Sequence, residues 1–159
     1  MSEEIVFNAK GTRAEIYREI LPQIEALVGP DDIANFANVA AVLKQVFGFF
    51  WVGFYRVTEP RVLTVGPYQG DLACVRIPFD QGVCGAAART QKAVVVPDVE
   101  KFPGHIACSS LSRSEIVVPF VRDGETRFVL DVDSDKLDDF GDTDRLYLER
   151  IVAMIGNAG

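Results

Sequence analysis

Ile116-Val117-Val118-Pro119-Phe120-Val121-Arg122-Asp123-Gly124-Glu125-Thr126-Arg127-Phe128-Val129-Leu130-Asp131-Val132 carries two apolar runs on either side of an Asp-Gly pair. An Asp-Gly pair between apolar strands is a strong signal for a tight antiparallel turn, so this segment predicts a β-hairpin. Upstream, Phe49 to Val57 is rich in Phe, Tyr and Val, and Thr58-Glu59-Pro60 separates it from Arg61 to Val65. That pattern predicts a second hairpin, ending at Gly66-Pro67. Ahead of it, Ile16, Ile20, Ile24 and Leu27 share one face of a helix over Arg13 to Val28, closed by Gly29-Pro30. A second helix starts at Asp31-Asp32, ends near Gly48, and carries Ile33, Phe36, Ala37, Ala40, Val42, Leu43 and Val46 as its apolar face.

Between the hairpins lies a long segment broken by Gly and Pro, with short apolar pieces at Val75 to Ile77 and Ala93 to Val96 and a small helix over Val83 to Thr90. Such connections are where sites are built. Asp142 to Ile155, with Leu146, Leu148, Ile151, Val152 and Ile155, reads as a terminal helix. The order helix, helix, two strands, irregular segment, two strands, helix predicts an α+β domain. Its antiparallel sheet would have helices on one face and a ligand pocket on the other. The expected division is helices over about 10–47, sheet and site loops over about 49–135, and a last helix over about 142–156, in one domain spanning 1–159.

The chain has 159 residues, 48% of them hydrophobic, and a net charge of −7. This negative charge repels phosphate backbones, and the 16 Lys and Arg form no stripe, which argues against nucleic acid as a partner. The start, Met1-Ser2-Glu3-Glu4, is acidic where a secretory signal is basic, and no apolar run approaches the roughly 20 residues of a membrane helix. A cytosolic location with reduced thiols is expected, without a membrane partner.

The three cysteines, Cys74, Cys84 and Cys108, lie between residues 74 and 108, and the last closes the run Phe102-Pro103-Gly104-His105-Ile106-Ala107-Cys108. An odd number cannot all pair within one chain, so one thiol is left to react or to lie buried. Cys84, flanked by Gly82 and Gly85 at a helix start, suits a thiol of lowered pKa beside free N–H groups that could take a substrate carboxylate. It equally suits a small buried side chain in a tight turn. His105, the single histidine, precedes Cys108 by three residues and is a candidate base. The Cys and His spacings match no usual zinc pattern, so no metal is expected.

Strand alternation sends Trp51, Gly53 and Tyr55 to one face and Phe50, Val52 and Phe54 to the other. Two aromatics flanking a glycine leave a gap in which a small ligand could lie, or else they pack under a loop. The same parity places Asp131 and Asp133 together, with Leu130 and Val132 opposite. Asp133-Ser134-Asp135 can be read as a turn or cap. Pointed into a pocket, the two acids, joined by Glu115, would repel one another. At least one pKa would then rise, giving a group able to hold a proton or to bind an amine.

Taken together, Trp51-Val52-Gly53-Phe54-Tyr55, Gly66-Pro67-Tyr68-Gln69-Gly70 with Ala73-Cys74, Gly82-Val83-Cys84-Gly85, Val96-Pro97-Asp98-Val99, the run ending at Cys108, Ser114-Glu115-Ile116-Val117 and Leu130-Asp131-Val132-Asp133-Ser134 closely resemble the free methionine-(R)-sulfoxide reductases. These are stand-alone GAF-domain enzymes. The resemblance implies thioredoxin-dependent reduction of the free amino acid sulfoxide, with no bound cofactor and with thioredoxin or a similar dithiol protein as external reductant. It assigns Cys108 as nucleophile, Cys74 as the main recycling thiol and Cys84 as a third family cysteine. Trp51 would hold the substrate methyl group, and Tyr55, Glu115, Asp131 and Asp133 would surround its sulfoxide and amino groups. A homodimer is expected by the same analogy. Ser109 stands where the family usually has Asp. The rival readings are a sensory GAF module that binds a small molecule and a thiol redox sensor that does not turn over.

Overall fold

The computed structural model describes residues 4–106 and 108–158, so the acidic start and the run ending at Cys108 fall partly outside the described residues. Helix α1 (Arg13–Leu27) begins at a capping box in which Thr12 and Glu15 exchange side-chain and backbone bonds. Helix α2 (Asp32–Phe47) is capped by Asp31, whose carboxylate accepts from Ala34 N–H at 2.9 Å, and ends at Gly48 with φ +67°, a left-handed conformation that glycine adopts without strain. Its buried stripe is Asn35, Phe36, Val39, Ala40, Val42 and Leu43. Ile33 and Ala37, expected inside, face solvent instead. Asn35 takes the inward place because its amide closes both the N–H and the carbonyl of Gly29, at 2.9 and 2.8 Å.

Strands β1 (Trp51–Glu59), β2 (Val62–Gln69), β3 (Arg76–Pro78), β4 (Val94–Val96), β5 (Ser114–Arg122) and β6 (Glu125–Ser134) form one antiparallel sheet in the order β3-β2-β1-β6-β5-β4. The β5–β6 hairpin turns at Asp123 and Gly124, both with positive φ, as an Asp-Gly turn of this kind requires. β2 does not stop at Gly66-Pro67. Gly53 pairs with Tyr68 and Tyr55 with Val65, so two residues of β2 oppose Phe54 alone. This bulge absorbs a proline that has no N–H to give to a ladder.

Helices α1, α2 and α4 (Asp142–Ala158) cover one face of the sheet, where Val52, Phe54, Ile116, Val118, Phe128, Leu130 and Val132 meet them. Phe36 stacks on Phe54 at 4.5 Å and meets Phe128 edge-on at 4.9 Å, which locks α2 over the two central strands. The expected α+β layout is therefore present. One element departs from it: α3 (Gly82–Thr90) packs on the opposite face, against β5 and β6, with Val83, Cys84, Ala87 and Ala88 beneath a second apolar cluster. Phe50, expected beside Val52 and Phe54, lies ahead of the strand and joins this second cluster.

The run of small residues from Gly82 to Ala88 is what lets α3 lie so close. A Cβ at Gly85 would stand 2.7 Å from the Phe79 carbonyl oxygen and 2.8 Å from that of Pro78. Alanine is the better helix former by about 1 kcal/mol. Here backbone atoms must move to admit it, and overpacking of this kind costs about 1–3 kcal/mol. Gly85→Ala is accordingly expected to lower the midpoint of chemical denaturation. A variant as stable as the parent, or more so, would show that α3 has room to shift.

Candidate active site

The site stands on three adjacent strands. In one cross-strand row Trp51 of β1 pairs with Asp133 of β6, which pairs with Glu115 of β5; in the next, Gly53 pairs with Asp131, which pairs with Val117. Tyr55 follows one step further along β1. All of these point away from the helical core, toward α3. The ends of β5 and β6 are held still by Ser114, whose hydroxyl donates to the Lys136 carbonyl at 2.6 Å, and by Ser134, which bonds Asp139 at 2.6 Å. β6 continues to Ser134, so Asp133 belongs to the strand and is not a turn residue.

Trp51 forms a fixed wall. Its indole N–H donates to the Asp71 carbonyl at 3.0 Å, and its ring stacks with Tyr68 at 5.1 Å and with Tyr55 at 5.9 Å. The gap expected over Gly53 is not a ligand slot: a Cβ there would overlap the Trp51 ring and Tyr68. The glycine instead lets the indole lie flat on the sheet. The free space is one position further on, in a cavity of about 40 Å³ among Trp51, Tyr55, Cys84, Glu115, Asp131 and Asp133, with Cys108 and Ser109 at its edge. At roughly 10–15 Å³ for each water it is a space for a few waters or a small polar group.

Glu115 and Asp131 are 6% and 5% exposed, and Asp133 is half-buried. Burial raises the pKa of all three. Glu115 and Asp133 rise well above the usual carboxyl range because Asp131 adds its charge, whereas Asp131 rises less because its neighbours' protons favour its ionised form. Among the described residues no Lys or Arg is ion-paired with them; His105 Nε2, 3.9 Å from Glu115 Oε1, is the partner present. Burial lowers the His105 pKa, against the pull of Asp131, and so favours the uncharged ring. One oxygen each of Asp131 and Asp133, and the Ser112 hydroxyl, are buried without a hydrogen-bond partner. Orphaned acceptors on a cavity wall call for a ligand that donates protons. Ser112 is the member of this group that sequence reasoning missed; a serine in a polar loop gives no pattern to find it by.

Cys84 Sγ lies within 4.8 Å of oxygens of both Glu115 and Asp131. Such a donor set could hold a thiophilic cation. Burial, then the nearby carboxylates, push its thiol pKa well above the ordinary value. The expected lowering by the α3 terminus is therefore overturned, because desolvation and two acids outweigh a helix dipole. No side chain caps α3: Gln81 makes no capping bond, and Gly82 N–H goes to the Gly104 carbonyl at 3.2 Å, tying the helix to the loop before Cys108. Cys74 and Cys108 are joined as a disulfide with Cα atoms 5.4 Å apart, and Cys84 is the free, buried thiol. The Tyr55 hydroxyl donates to the Cys74 carbonyl at 3.1 Å, linking the half-buried Cys74 to the wall of the cavity.

The family model described as GAF domain matches residues 30–158. The chain is 52% identical to GAF domain-containing protein A of Dictyostelium discoideum, over 99% of this chain and 100% of that one. It is 34% identical to the free methionine-R-sulfoxide reductase of Saccharomyces cerevisiae, over 99% and 93%. It superposes with a TM-score of 0.95 and 51% identity on the free methionine-R-sulfoxide reductase from Neisseria meningitidis in complex with its substrate, covering 99% and 95%. The chain belongs to the GAF-domain family. Within that family it is one of the free methionine-R-sulfoxide reductases.

Glu115 gives the cluster a stability signature. Its folded pKa lies above its unfolded one, so the fold is favoured while the group is neutral in both states and loses ground as pH rises through the folded value. Glu115→Gln keeps the shape and removes the ionisation. The melting temperature of the variant is expected to gain on the parent between pH 5 and pH 8, at about 2–4 °C for each kcal/mol. A difference that stays constant with pH would show that Glu115 ionises as freely in the fold as in the unfolded chain.

Proposed function

We propose that this reductase converts free L-methionine (R)-S-oxide to L-methionine with Cys108 as nucleophile, Cys74 as resolving thiol and a thioredoxin-type dithiol as the electron source. The observation that carries this reading is the Cys74–Cys108 disulfide at the rim of a cavity whose inner wall is a proton-holding carboxyl cluster. Reducing a sulfoxide takes two electrons and removes an oxygen. A thiolate must reach the sulfur while an acid meets the oxygen. Cys108 and the cluster of Glu115, Asp131 and Asp133 supply these two parts on opposite sides of one small space.

In the proposed cycle, Cys108 thiolate attacks the substrate sulfur while a carboxyl proton passes to the oxygen. The oxygen then moves to Cys108 Sγ as the substrate S–O bond and the transient S–S bond break. Methionine leaves with its sulfur reduced, and Cys108 is left as a sulfenic acid. Cys74 thiol then condenses with it, expelling water and forming the disulfide. The dithiol takes over that disulfide and returns both cysteines to thiols. The protein needs no bound cofactor, because its own sulfurs carry both electrons.

Selectivity for the free amino acid follows from charge and size. The ammonium group of the substrate compensates the ionised member of the carboxyl cluster and donates to the orphaned oxygens of Asp131 and Asp133. Its carboxylate faces the uncapped first turn of α3. A sulfoxide within a peptide chain has neither charge to offer. The indole of Trp51 offers the methyl group an apolar plane. Three fixed places for methyl, oxygen and amino acid head distinguish one epimer from its mirror arrangement. The cavity and the orphaned oxygens on its wall favour turnover over a redox sensor, which has no use for them.

This enzyme would act as a single domain in the cytosol, where dithiol reductants are kept reduced; among the described residues no helix is long and apolar enough to cross a membrane. Pairing of two copies is expected from the family alone.

With thioredoxin, its reductase and NADPH supplied, NADPH loss is expected with the free R epimer and not with the S epimer or a peptide-bound sulfoxide. Cys108→Ser should abolish it. Cys74→Ser should release about one equivalent of methionine per chain and then slow sharply. Asp131→Asn should lower kcat/KM by roughly 10²- to 10⁴-fold with its thiols still titrating. Full activity in Cys108→Ser would remove the assigned nucleophile, full activity in Asp131→Asn would remove Asp131 from the proton-delivering cluster, and no turnover by the parent on any of the three sulfoxides would leave the redox sensor as the better reading.

A further inference from the structure

Seven large hydrophobic side chains are exposed among the described residues, and three of them lie within three residues of a disulfide cysteine along the chain: Leu72 at 86%, Val75 at 67% and Leu111 at 59%. Val75 is next to Cys74 in the chain, Leu72 two residues before it, and Leu111 three residues after Cys108. The disulfide brings these two segments together, with Cα atoms 5.4 Å apart. Among the described residues nothing covers these side chains. Leu111 belongs to a turn that is closed locally, its N–H donating to the Ser109 hydroxyl at 3.3 Å, and Val75 is held by its carbonyl, which accepts from Val65 N–H at 2.9 Å. Both are therefore displayed on ordered backbone. A solvent-facing apolar collar has a hydration cost, and when it surrounds a reactive group it marks the place where a partner lands.

The charges nearby support the same conclusion. In the two segments 71–76 and 109–113 the charged residues are Asp71, Arg76 and Arg113, and Arg76 is already paired with Glu59 at 3.0 Å. The rim is thus close to neutral on a chain of net charge −7. A face without net charge on an acidic protein suits contact by apolar surface and does not need electrostatic steering.

We propose that Leu72, Val75 and Leu111 form the docking surface for the dithiol protein that reduces the Cys74–Cys108 disulfide, with the attack directed at Cys108. The inference deepens the functional reading above and rests on it for the need to reduce this bond at every turnover. The nature of the bond chooses the occupant. A disulfide framed by apolar side chains is reduced by a thiol, and a protein carrying that thiol within an apolar surface buries the collar as it approaches. Cys108 is exposed and Cys74 half-buried. The reductant's thiolate bonds to Cys108 Sγ, the S–S bond breaks, and Cys74 leaves with the electron pair and takes a proton from solvent. The second thiol of the reductant then attacks its own sulfur in the mixed disulfide. Cys108 is released as thiolate, and the reductant departs as a disulfide.

The test compares two reductants on Val75→Ser, Leu111→Ser and the double variant; Leu72 is left in place because it also lines the cavity. With thioredoxin, its reductase and NADPH, each single change is expected to raise the KM for thioredoxin by about 3- to 10-fold, and the pair by more. With dithiothreitol in place of thioredoxin, kcat should match the parent. For the parent, the KM for thioredoxin should change less than about twofold between 50 and 500 mM NaCl. A thioredoxin variant lacking its second cysteine should be trapped on Cys108. An unchanged KM in the double variant, or a steep salt dependence, would overturn the docking surface, and trapping on Cys74 would overturn the point of attack. Failure of the functional reading is separately visible as no sulfoxide turnover by the parent with dithiothreitol. Even then, reduction of the preformed disulfide by thioredoxin, followed without sulfoxide, still reads the docking surface.

Discussion

The pleat of β6 is the constraint on which the molecule depends. Between β1 and β5, it sends Leu130 and Val132 into the core under α1, α2 and α4, and Asp131 and Asp133 to the opposite face. Because the side-chain period of a strand is two, neither set can move without the other. The apolar partners on the helical side, Val52 and Phe54 of β1 and Ile116 and Val118 of β5, fix the register, and that register lines up Trp51, Asp133 and Glu115 in one row. The core thus aims the site.

Crowding three carboxyl groups without a paired Lys or Arg works against the fold. An uncompensated buried charge costs several kcal/mol, and the protein avoids this by letting protons stay on the cluster. The outcome is a set of carboxyl groups that keep their protons to higher pH than free ones. Cys84 behaves alike: buried beside Glu115 and Asp131, its thiol holds its proton. The same low-dielectric wall that penalises an unpaired carboxylate strengthens its attraction for a cationic group placed beside it.

The two disulfide-bonded cysteines lie on connections and not on the sheet, and of these Cys108 lines the cavity. Cys74 lies between β2 and β3, and Cys108 follows a loop tied to the start of α3 by the Gly82–Gly104 bond. Tyr55 bridges the two parts, stacked on Trp51 at one side and bonded to the Cys74 carbonyl at the other. The acid groups thus stand on paired strands, whereas Cys74 and Cys108 stand on the connections between elements.

Local rules were enough for much of this chain. The Asp123-Gly124 turn, the Asp31 cap, the Gly48 stop and the alternation of Leu130-Asp131-Val132-Asp133 are written in nearest-neighbour chemistry, and all were legible. So was the odd, buried cysteine as a possibility, and the kinship of the motifs with the sulfoxide reductases. Tertiary structure decided what depends on distant chain. Asn35 turned inward because Gly29 needed its amide; β2 ran on through Gly66-Pro67 because Phe54 could face a bulge; and α3 crossed to the second face because its small residues fit against the Pro78 and Phe79 carbonyls. The cavity moved off Gly53 because the indole of Trp51 covers it, and Ser112 joined the wall with no pattern to announce it. The direction of the Cys84 pKa was decided there too, since desolvation and the fields of Glu115 and Asp131 depend on residues far along the chain. Sequence by itself determined which groups the protein has and which strand face each occupies; packing determined how far apart they lie and how dry they are, because distance and dielectric belong to the assembled structure and not to any one segment.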